Sequence, residues 1–125
     1  MVPVRFGRRL KFLVAGAMPH DVEDFLFRTA RRFGAVCARI SGSDAWLEMI
    51  NSLEFGAVFV GLEGVTGEIL TSLERGKSLA PHMPIVTVGG GKPAQADYHI
   101  DLTEVQSRLP GIIEKLATST RTAIA

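Results

Sequence analysis

The sequence predicts a three-layer α/β domain in which helices cover both faces of a doubly wound, five-stranded parallel sheet. Short runs rich in β-branched residues alternate with longer helical patterns along the chain. The short runs are apolar at consecutive positions, which is typical of parallel strands buried on both faces. The chain has 125 residues, of which 46% are hydrophobic and 22% charged, and this composition suits one globular domain with an ordinary core.

Two strand–helix units open the pattern. KFLVAGA at 11–17 is the first predicted strand, and HDVEDFLFRTARRFG forms the first helix, with Gly34 as its C-terminal cap. The inward stripe of this helix consists of Val22, Phe25, Leu26, Thr29, Ala30 and Phe33. AVCARI at 35–40 is the second strand, and Ser43 is the expected N-cap of a helix in SGSDAWLEMINSLE. The inward stripe of this second helix consists of Ala45, Trp46, Met49, Ile50 and Leu53.

Three further strands and two helices complete the pattern. GAVFVG at 56–61 is the third strand, and TGEILTSLERGKSLA supplies a helix that turns Ile69, Leu70 and Leu73 toward the sheet. PIVTVGG at 84–90 and DYHIDL at 97–102 are the fourth and fifth strands. Thr103 is expected to cap the last helix, and Pro110 either interrupts that helix or begins a second segment of it. The inward stripe of this helix consists of Val105, Leu109, Ile112, Ile113 and Leu116.

The connection between the fourth and fifth strands is too short for a helix. Only GKPAQA and the glycines before it lie there, whereas a helical crossover usually needs a dozen or more residues. A segment of about seven extended residues reaches roughly 23 Å, which is enough to return along a short strand. We therefore predict that the fourth helix of the pattern is replaced by an irregular, mobile loop over residues 89–96.

Charge and apolar runs indicate how the chain is organised. The first eleven residues hold four of the 14 basic residues and no acid, so we divide the chain into a basic arm at 1–10, a domain at 11–118 and a C-terminal tail at 119–125. No apolar run approaches the roughly 20 residues of a membrane span, and no signal peptide is evident, which favours the cytoplasm. Nucleic-acid binding is not favoured, since basic and aromatic residues do not interleave. Cys37 lies in an apolar run and is expected to be a buried thiol.

The carboxyl ends of the predicted strands carry few reactive groups. Ligands of open parallel sheets bind at these ends, but the acids nearest to them are only Glu63 and Asp101. GGGK at 89–92 does not continue into Ser or Thr at a helix start, as a phosphate-binding loop would. We therefore predict no catalytic residue, no cofactor and no metal ion.

The order and spacing of these elements resemble the receiver domain of bacterial response regulators. The resemblance runs from about Lys11 to Leu116 and is clearest in SGSDAWLEMINSLEFGAVFVGLEG. It implies that the family's motif positions are occupied by other residues: Gly16 and Ala17 replace the acidic pair, Gly61 the phosphoryl-acceptor aspartate, Gly89 the hydroxyl residue and Asp101 the lysine. Tyr98 matches the family's aromatic switch position.

The resemblance therefore implies a degenerate receiver, or pseudo-receiver, that is not phosphorylated. Phosphotransfer needs a carboxylate nucleophile, acids that hold Mg²⁺ and a cation on the phosphoryl oxygens. We expect a non-enzymatic module of bacterial signal transduction that binds a protein partner, with a homodimer left open. Loss of the fourth helix is expected to uncover the sheet near Ile85, Thr87, Tyr98 and Ile100. The loop folding back, the segment after Pro110 or a second protein chain must then cover this flank. The partner is then expected to bind at Tyr98, Gly90, Gly91 and Lys92.

Two alternatives remain open. One is a sensor of a small anionic ligand, such as a nucleotide second messenger, which would use the N-terminal arm or Arg28, Arg31 and Arg32, since arginine clusters suit phosphate recognition. The same arginines also fit a solvated helix face, because Asp24, Arg28 and Arg32 follow each other at intervals of four. The other alternative is an enzyme whose site has no recognisable pattern.

Overall fold

The structure is a computed structural model that describes residues 10–40, 47, 55–63 and 67–124. Its elements are β1 Leu10–Ala17, α1 His20–Arg32, β2 Ala35–Arg39, β3 Phe55–Leu62, α2 Gly67–Leu79, β4 Ile85–Val88, β5 Tyr98–Ile100, a 3₁₀ turn Leu102–Glu104 and α3 Val105–Ile124. Residues 1–9 of the predicted arm lie outside the described residues, as does the predicted second helix apart from Leu47, which is helical.

The five strands form one sheet in the order β2-β1-β3-β4-β5, and every neighbouring pair is parallel. The chain starts at the inner strand β1, adds β2 at one edge, and then crosses back to add β3, β4 and β5 toward the other edge, which is the doubly wound arrangement. The predicted fold class is confirmed.

Apolar side chains fill both faces of the sheet. On one face Phe12 and Val14 of β1 and Phe59 of β3 pack with the inward residues of α1 and α3. On the other face Leu13 and Ala15 of β1 pack with α2 and with Leu47. Successive residues of a strand point to opposite faces, so an uninterrupted apolar run supplies both cores. This is the three-layer architecture that the run predicts.

Glycines and caps set the ends of several elements. Gly34 has a φ of 81° and its N–H donates to the Arg31 carbonyl, as the predicted cap of α1 requires. β4 stops at Val88, before the predicted end, because Gly89 and Gly90 both have positive φ. The predicted N-cap at Thr103 is wrong. Asp101 caps the 3₁₀ turn, and its N–H donates to the Glu104 carboxylate at 3.4 Å.

The segment between β4 and β5 contains no helix, which confirms the predicted loss of the fourth helix. The sheet is not uncovered there, because the chain itself covers this flank: Ile85, Thr87 and Ile100 are all fully buried. Ile100 also belongs to the core that faces α1 and α3, on the opposite side of the sheet from Ile85. Pro93 of the loop is buried as well.

One apolar position of α2 was predicted incorrectly. Ile69 and Leu73 are buried in the core, but Leu70 is 41% exposed. Ile69 and Leu73 are spaced i, i+4 and share a stripe that faces the sheet, while the next residue along the helix is turned away by about 100°.

The last helix runs without a break through Pro110 to Ile124. Residues 119–124 of the predicted tail are therefore helical, and the boundary between domain and tail stays a prediction. Pro110 is followed directly by Gly111, which is exposed and has open space where a Cβ would stand. The middle of this helix thus combines the two residues that favour helix least.

Replacing Gly111 by alanine should stabilise the protein by about 0.5–1 kcal/mol, because glycine in a helix interior loses the most conformational freedom on folding. The midpoint of urea unfolding measures the change. Gln106→Ala, at another exposed position of α3, is the matched control and should change stability by only a few tenths of a kcal/mol. An equal gain in both variants, or a loss in Gly111→Ala, would contradict this account.

Candidate functional site

β1 and β3 pair along their length up to their carboxyl ends. Gly16 is the register partner of Gly61, and Ala17 is the partner of Leu62. The Glu63 N–H then donates to the Ala17 carbonyl at 3.0 Å. The two strands therefore stay paired up to the edge beyond which the ligand of an open parallel sheet binds. We call Gly16, Ala17, Gly61 and Leu62 the sealed edge.

The two glycines of the sealed edge have no room for a side chain. A Cβ built on Gly61 would lie 2.5 Å from the Ala17 carbonyl carbon, closer still to its oxygen, and 2.9 Å from the Met18 nitrogen. Gly16 has a φ of 74°, and a Cβ there would lie 3.0 Å from the Gly61 nitrogen and closer to its oxygen. Any side chain at position 61 would have to displace backbone atoms of β1.

The end of β4 continues this close packing. The Gly89 N–H donates to the Ile100 carbonyl at 2.9 Å, which joins β4 to β5. Gly90 has a φ of 60°, and a Cβ on it would lie 3.1 Å from the Leu62 Cβ. Gly91 and Lys92 are exposed, and so is Leu102, which is 41% exposed beside Gly89. A glycine-rich loop and one exposed leucine thus form the surface of this edge.

A row of polar side chains runs from the inside of the sheet to Asp101. The buried Thr87 hydroxyl lies 2.7 Å from Nδ1 of His99, and Nε2 of His99 lies 3.3 Å from the exposed Asp101 carboxylate. The sequence analysis missed this row. The signal was present, since His99 and Asp101 alternate onto one face of β5 and Thr87 is the register partner of His99. Thr87 is inaccessible to a substrate, so the hydrogen bonds of this row satisfy its buried hydroxyl and do not form a nucleophilic site.

Tyr98 does not join the exposed loop. It is the register partner of Val86, is partly buried, and packs with the core that faces α1 and α3. The Lys115 ammonium lies 5.8 Å from the centre of its ring, within the range of a cation–π contact. The structure therefore brings Gly90, Gly91 and Lys92 together but does not bring Tyr98 to the same surface.

No protein-family model and no curated protein sequence matches the chain. Solved structures do match. A response regulator receiver domain protein from Clostridium thermocellum has a TM-score of 0.67 at 16% identity, covering 91% of this chain and 98% of that chain. A proposed pilus assembly protein (CpaE) from Burkholderia thailandensis has a TM-score of 0.65 at 16% identity, covering 87% of this chain and 98% of that chain.

The chain has the receiver fold. A third match, to a structure of histidine kinase ThkA in complex with response regulator protein TrrA, has a TM-score of 0.64 at 14% identity and covers 86% of this chain and 98% of that chain. Identities this low establish the fold alone, since one fold can carry many different functions.

Arg39, the last residue of β2, lies beside the sealed edge. Nη1 of Arg39 donates to the Gly16 carbonyl at 2.7 Å, and Nη2 pairs with the Glu23 carboxylate of α1. Burial, and then the negative charge of Glu23, raises the pKa of the Cys37 thiol to about 12. Cys37 is therefore protonated at neutral pH and is a poor nucleophile. The sequence analysis did not identify Arg39, because its partners come from distant parts of the chain.

The described ranges offer neither a metal-binding cluster nor a membrane-spanning helix. They contain no cluster of three or more His, Cys, Asp or Glu side chains that could hold a metal ion. None of the helices in these ranges is long and apolar enough to pass through a bilayer.

The arginines of α1 lie along an open groove of about 360 Å³. The described residues that line it are Phe25, Arg28, Thr29, Arg31 and Arg32. Arg28 pairs with Asp24 at 3.3 Å, and both side chains are more than 60% exposed. The structure thus brings the three arginines of the predicted anion-binding face together with an aromatic ring.

Proposed function

We propose that this chain is a signalling module with the receiver fold that does not accept a phosphoryl group and acts by binding a protein partner. The observation that carries the proposal is that the Ala17 backbone occupies the place where a Cβ on Gly61 would stand. A carboxylate at position 61 is the nucleophile of a phosphorylatable receiver, and the sealed edge leaves no volume for one.

The groups around the sealed edge also lack the charge pattern of phosphotransfer. Two glycines, an alanine and a leucine form it, and Asp101 places a negative charge where the resemblance implies a lysine. Glu63 is exposed beyond the end of β3, and a single carboxylate is a poor substitute for the clustered oxygen ligands of Mg²⁺. On this basis we propose a protein without enzymatic activity, cofactor or metal ion.

The proposed partner surface is the loop Gly90–Lys92 together with Leu102. Backbone groups of this loop are exposed, Lys92 supplies a positive charge, and Leu102 supplies the apolar contact that a small interface needs. A receiver-fold structure is known in complex with a histidine kinase, which supports a kinase or another signalling domain as the partner, in the cytoplasm. A second copy of this chain is the other arrangement that this surface allows.

Beryllofluoride or acetyl phosphate with Mg²⁺ should leave the amide spectrum of this protein unchanged. Beryllofluoride mimics a phosphoryl group only when a carboxylate and a bound Mg²⁺ hold it. Nuclear magnetic resonance of the ¹⁵N-labelled protein, titrated with each reagent, measures the response residue by residue.

Two comparisons make this titration decisive. A receiver with its acidic residues intact should respond under the same conditions, which shows that the reagents are active. Saturable shifts of residues 61–63 that require Mg²⁺ would refute the proposal and would identify Glu63 as the acceptor to be tested by Glu63→Gln.

A second candidate function is the sensing of a small anionic ligand. The groove beside the arginines of α1 favours it, and this function can coexist with a protein partner because the groove lies on a different element from the loop Gly90–Lys92.

A further inference from the structure

The groove on α1 combines positive charge with an aromatic surface. Phe25, Arg28 and Arg32 are spaced i, i+3 and i+7 and therefore follow one stripe of the helix. Thr29 lies within this stripe and is buried, so it forms the base of the groove, while the three arginines are exposed. Phe25 is partly exposed and packs against the core beneath it. The groove is thus built on a fixed helix rather than on a loop.

Most of the positive charge of this groove is not neutralised within the described residues. Arg31 and Arg32 form no ion pair with any described acid. Arg28 has Asp24 as its partner, but exposed pairs at i, i+4 contribute little and exchange readily with other partners. The three guanidinium groups are therefore available to an anion from solution.

The helix dipole explains only part of this arrangement. Arg31 and Arg32 lie in the last turn of α1, where positive charge stabilises any helix. Arg28 lies one turn earlier, and the dipole requires neither this third arginine nor a partly exposed phenylalanine beside it. A ligand that has both a phosphate and a flat ring accounts for all four side chains.

We propose that this groove binds a nucleotide. The guanidinium groups of the arginines would donate hydrogen bonds to the phosphate oxygens, since planar guanidinium groups match phosphate geometry better than ammonium groups do. The ring of Phe25 would contact the base, as aromatic side chains do in sequence-tolerant nucleotide binding. A volume of about 360 Å³ is near the lower end of small-ligand sites and suits one nucleotide better than a large ligand. This proposal does not depend on the state of the sealed edge.

The test compares three probes on the ¹⁵N-labelled full chain. ATP should give saturable amide shifts along α1. Tripolyphosphate, which has the charge without the base, should bind at least tenfold more weakly, and adenosine, which has the base without the charge, should bind more weakly still. A glutamate-rich peptide of equal charge should not compete with ATP. Binding that does not saturate, equal affinity for tripolyphosphate, or full competition by the peptide would each overturn the nucleotide assignment.

Variants then locate the site. Arg28→Gln combined with Arg32→Gln should weaken ATP binding at least tenfold, because two charge-assisted hydrogen-bonding groups are lost. Arg75→Gln, at an exposed position of α2, removes one positive charge elsewhere and should leave the affinity unchanged, whereas Arg32→Gln alone, which removes one charge from the groove, should weaken it. Phe25→Leu should weaken ATP binding without affecting tripolyphosphate. Equal losses in the α1 and α2 variants would show a general charge effect and overturn the proposal. All variants remove exposed charge or keep an apolar side chain, so the amide spectrum can confirm their folding.

Discussion

Gly61→Asp should destabilise the protein strongly and should not create a phosphoryl acceptor. The new Cβ would lie 2.5 Å from the Ala17 carbonyl carbon and 2.9 Å from the Met18 nitrogen. These are backbone atoms, so they can retreat only if β1 separates from β3 at the pairs Gly16–Gly61 and Ala17–Leu62. Overpacking of this kind and the burial of an unpaired carboxylate together are expected to cost about 3 kcal/mol or more.

Gly91→Asp is the matched control for this substitution. It introduces the same side chain at an exposed glycine of the same edge, where a Cβ meets nothing within 4 Å. Its effect on stability should remain within about 0.5 kcal/mol. The urea midpoints of both variants measure the difference. A Gly61→Asp protein with an unchanged midpoint and a Mg²⁺-dependent response to beryllofluoride would show that the edge opens easily, and the sealed edge would then not explain the loss of phosphotransfer.

The sequence was sufficient to predict the fold because the strands of a doubly wound sheet are strongly patterned. VFV is apolar at every position, and IVTV is interrupted only by the β-branched Thr87, so both runs fit strands covered on both faces. The short interval before Asp97 predicted the missing helix by chain length alone. These signals are local or depend on counting residues, and neither requires knowledge of which residues meet in space.

The features of the site that the sequence did not reveal depend on contacts between distant segments. Glycine at position 61 predicts the absence of a carboxylate, but only the register with Gly16 shows that the backbone fills its place. The covered flank at Ile85 and Thr87 was also not predictable, because GKPAQA contains few apolar side chains and gave no sign that Pro93 would be buried. A three-residue strand also has too little alternation to show from the sequence alone that Tyr98 packs with the core that faces α1 and α3.

The acid that precedes β5 connects three elements of the fold. One oxygen of the Asp97 carboxylate accepts the Ile85 N–H at 2.8 Å and also lies 2.8 Å from the Lys77 ammonium. The Asp97 N–H donates to the Ile85 carbonyl at 2.8 Å. Asp97 therefore extends the pairing of β4 with β5 and connects both strands to α2.

Asp97→Ala should therefore destabilise the protein by about 2 kcal/mol, because it leaves the partly buried Ile85 N–H without an acceptor and also removes the ion pair with Lys77. Asp97→Asn keeps an acceptor for that N–H and loses only the ion pair, and Lys77→Met removes the same ion pair from the other side. Each of these two controls should cost no more than about 1 kcal/mol, since the paired side chains are partly exposed. Urea unfolding measures the stabilities, and hydrogen exchange of the Ile85 amide should accelerate in Asp97→Ala alone. If Asp97→Ala and Asp97→Asn were equally destabilised, the ion pair and not the strand contact would join α2 to the edge, and the role assigned here to the Ile85 N–H would be wrong.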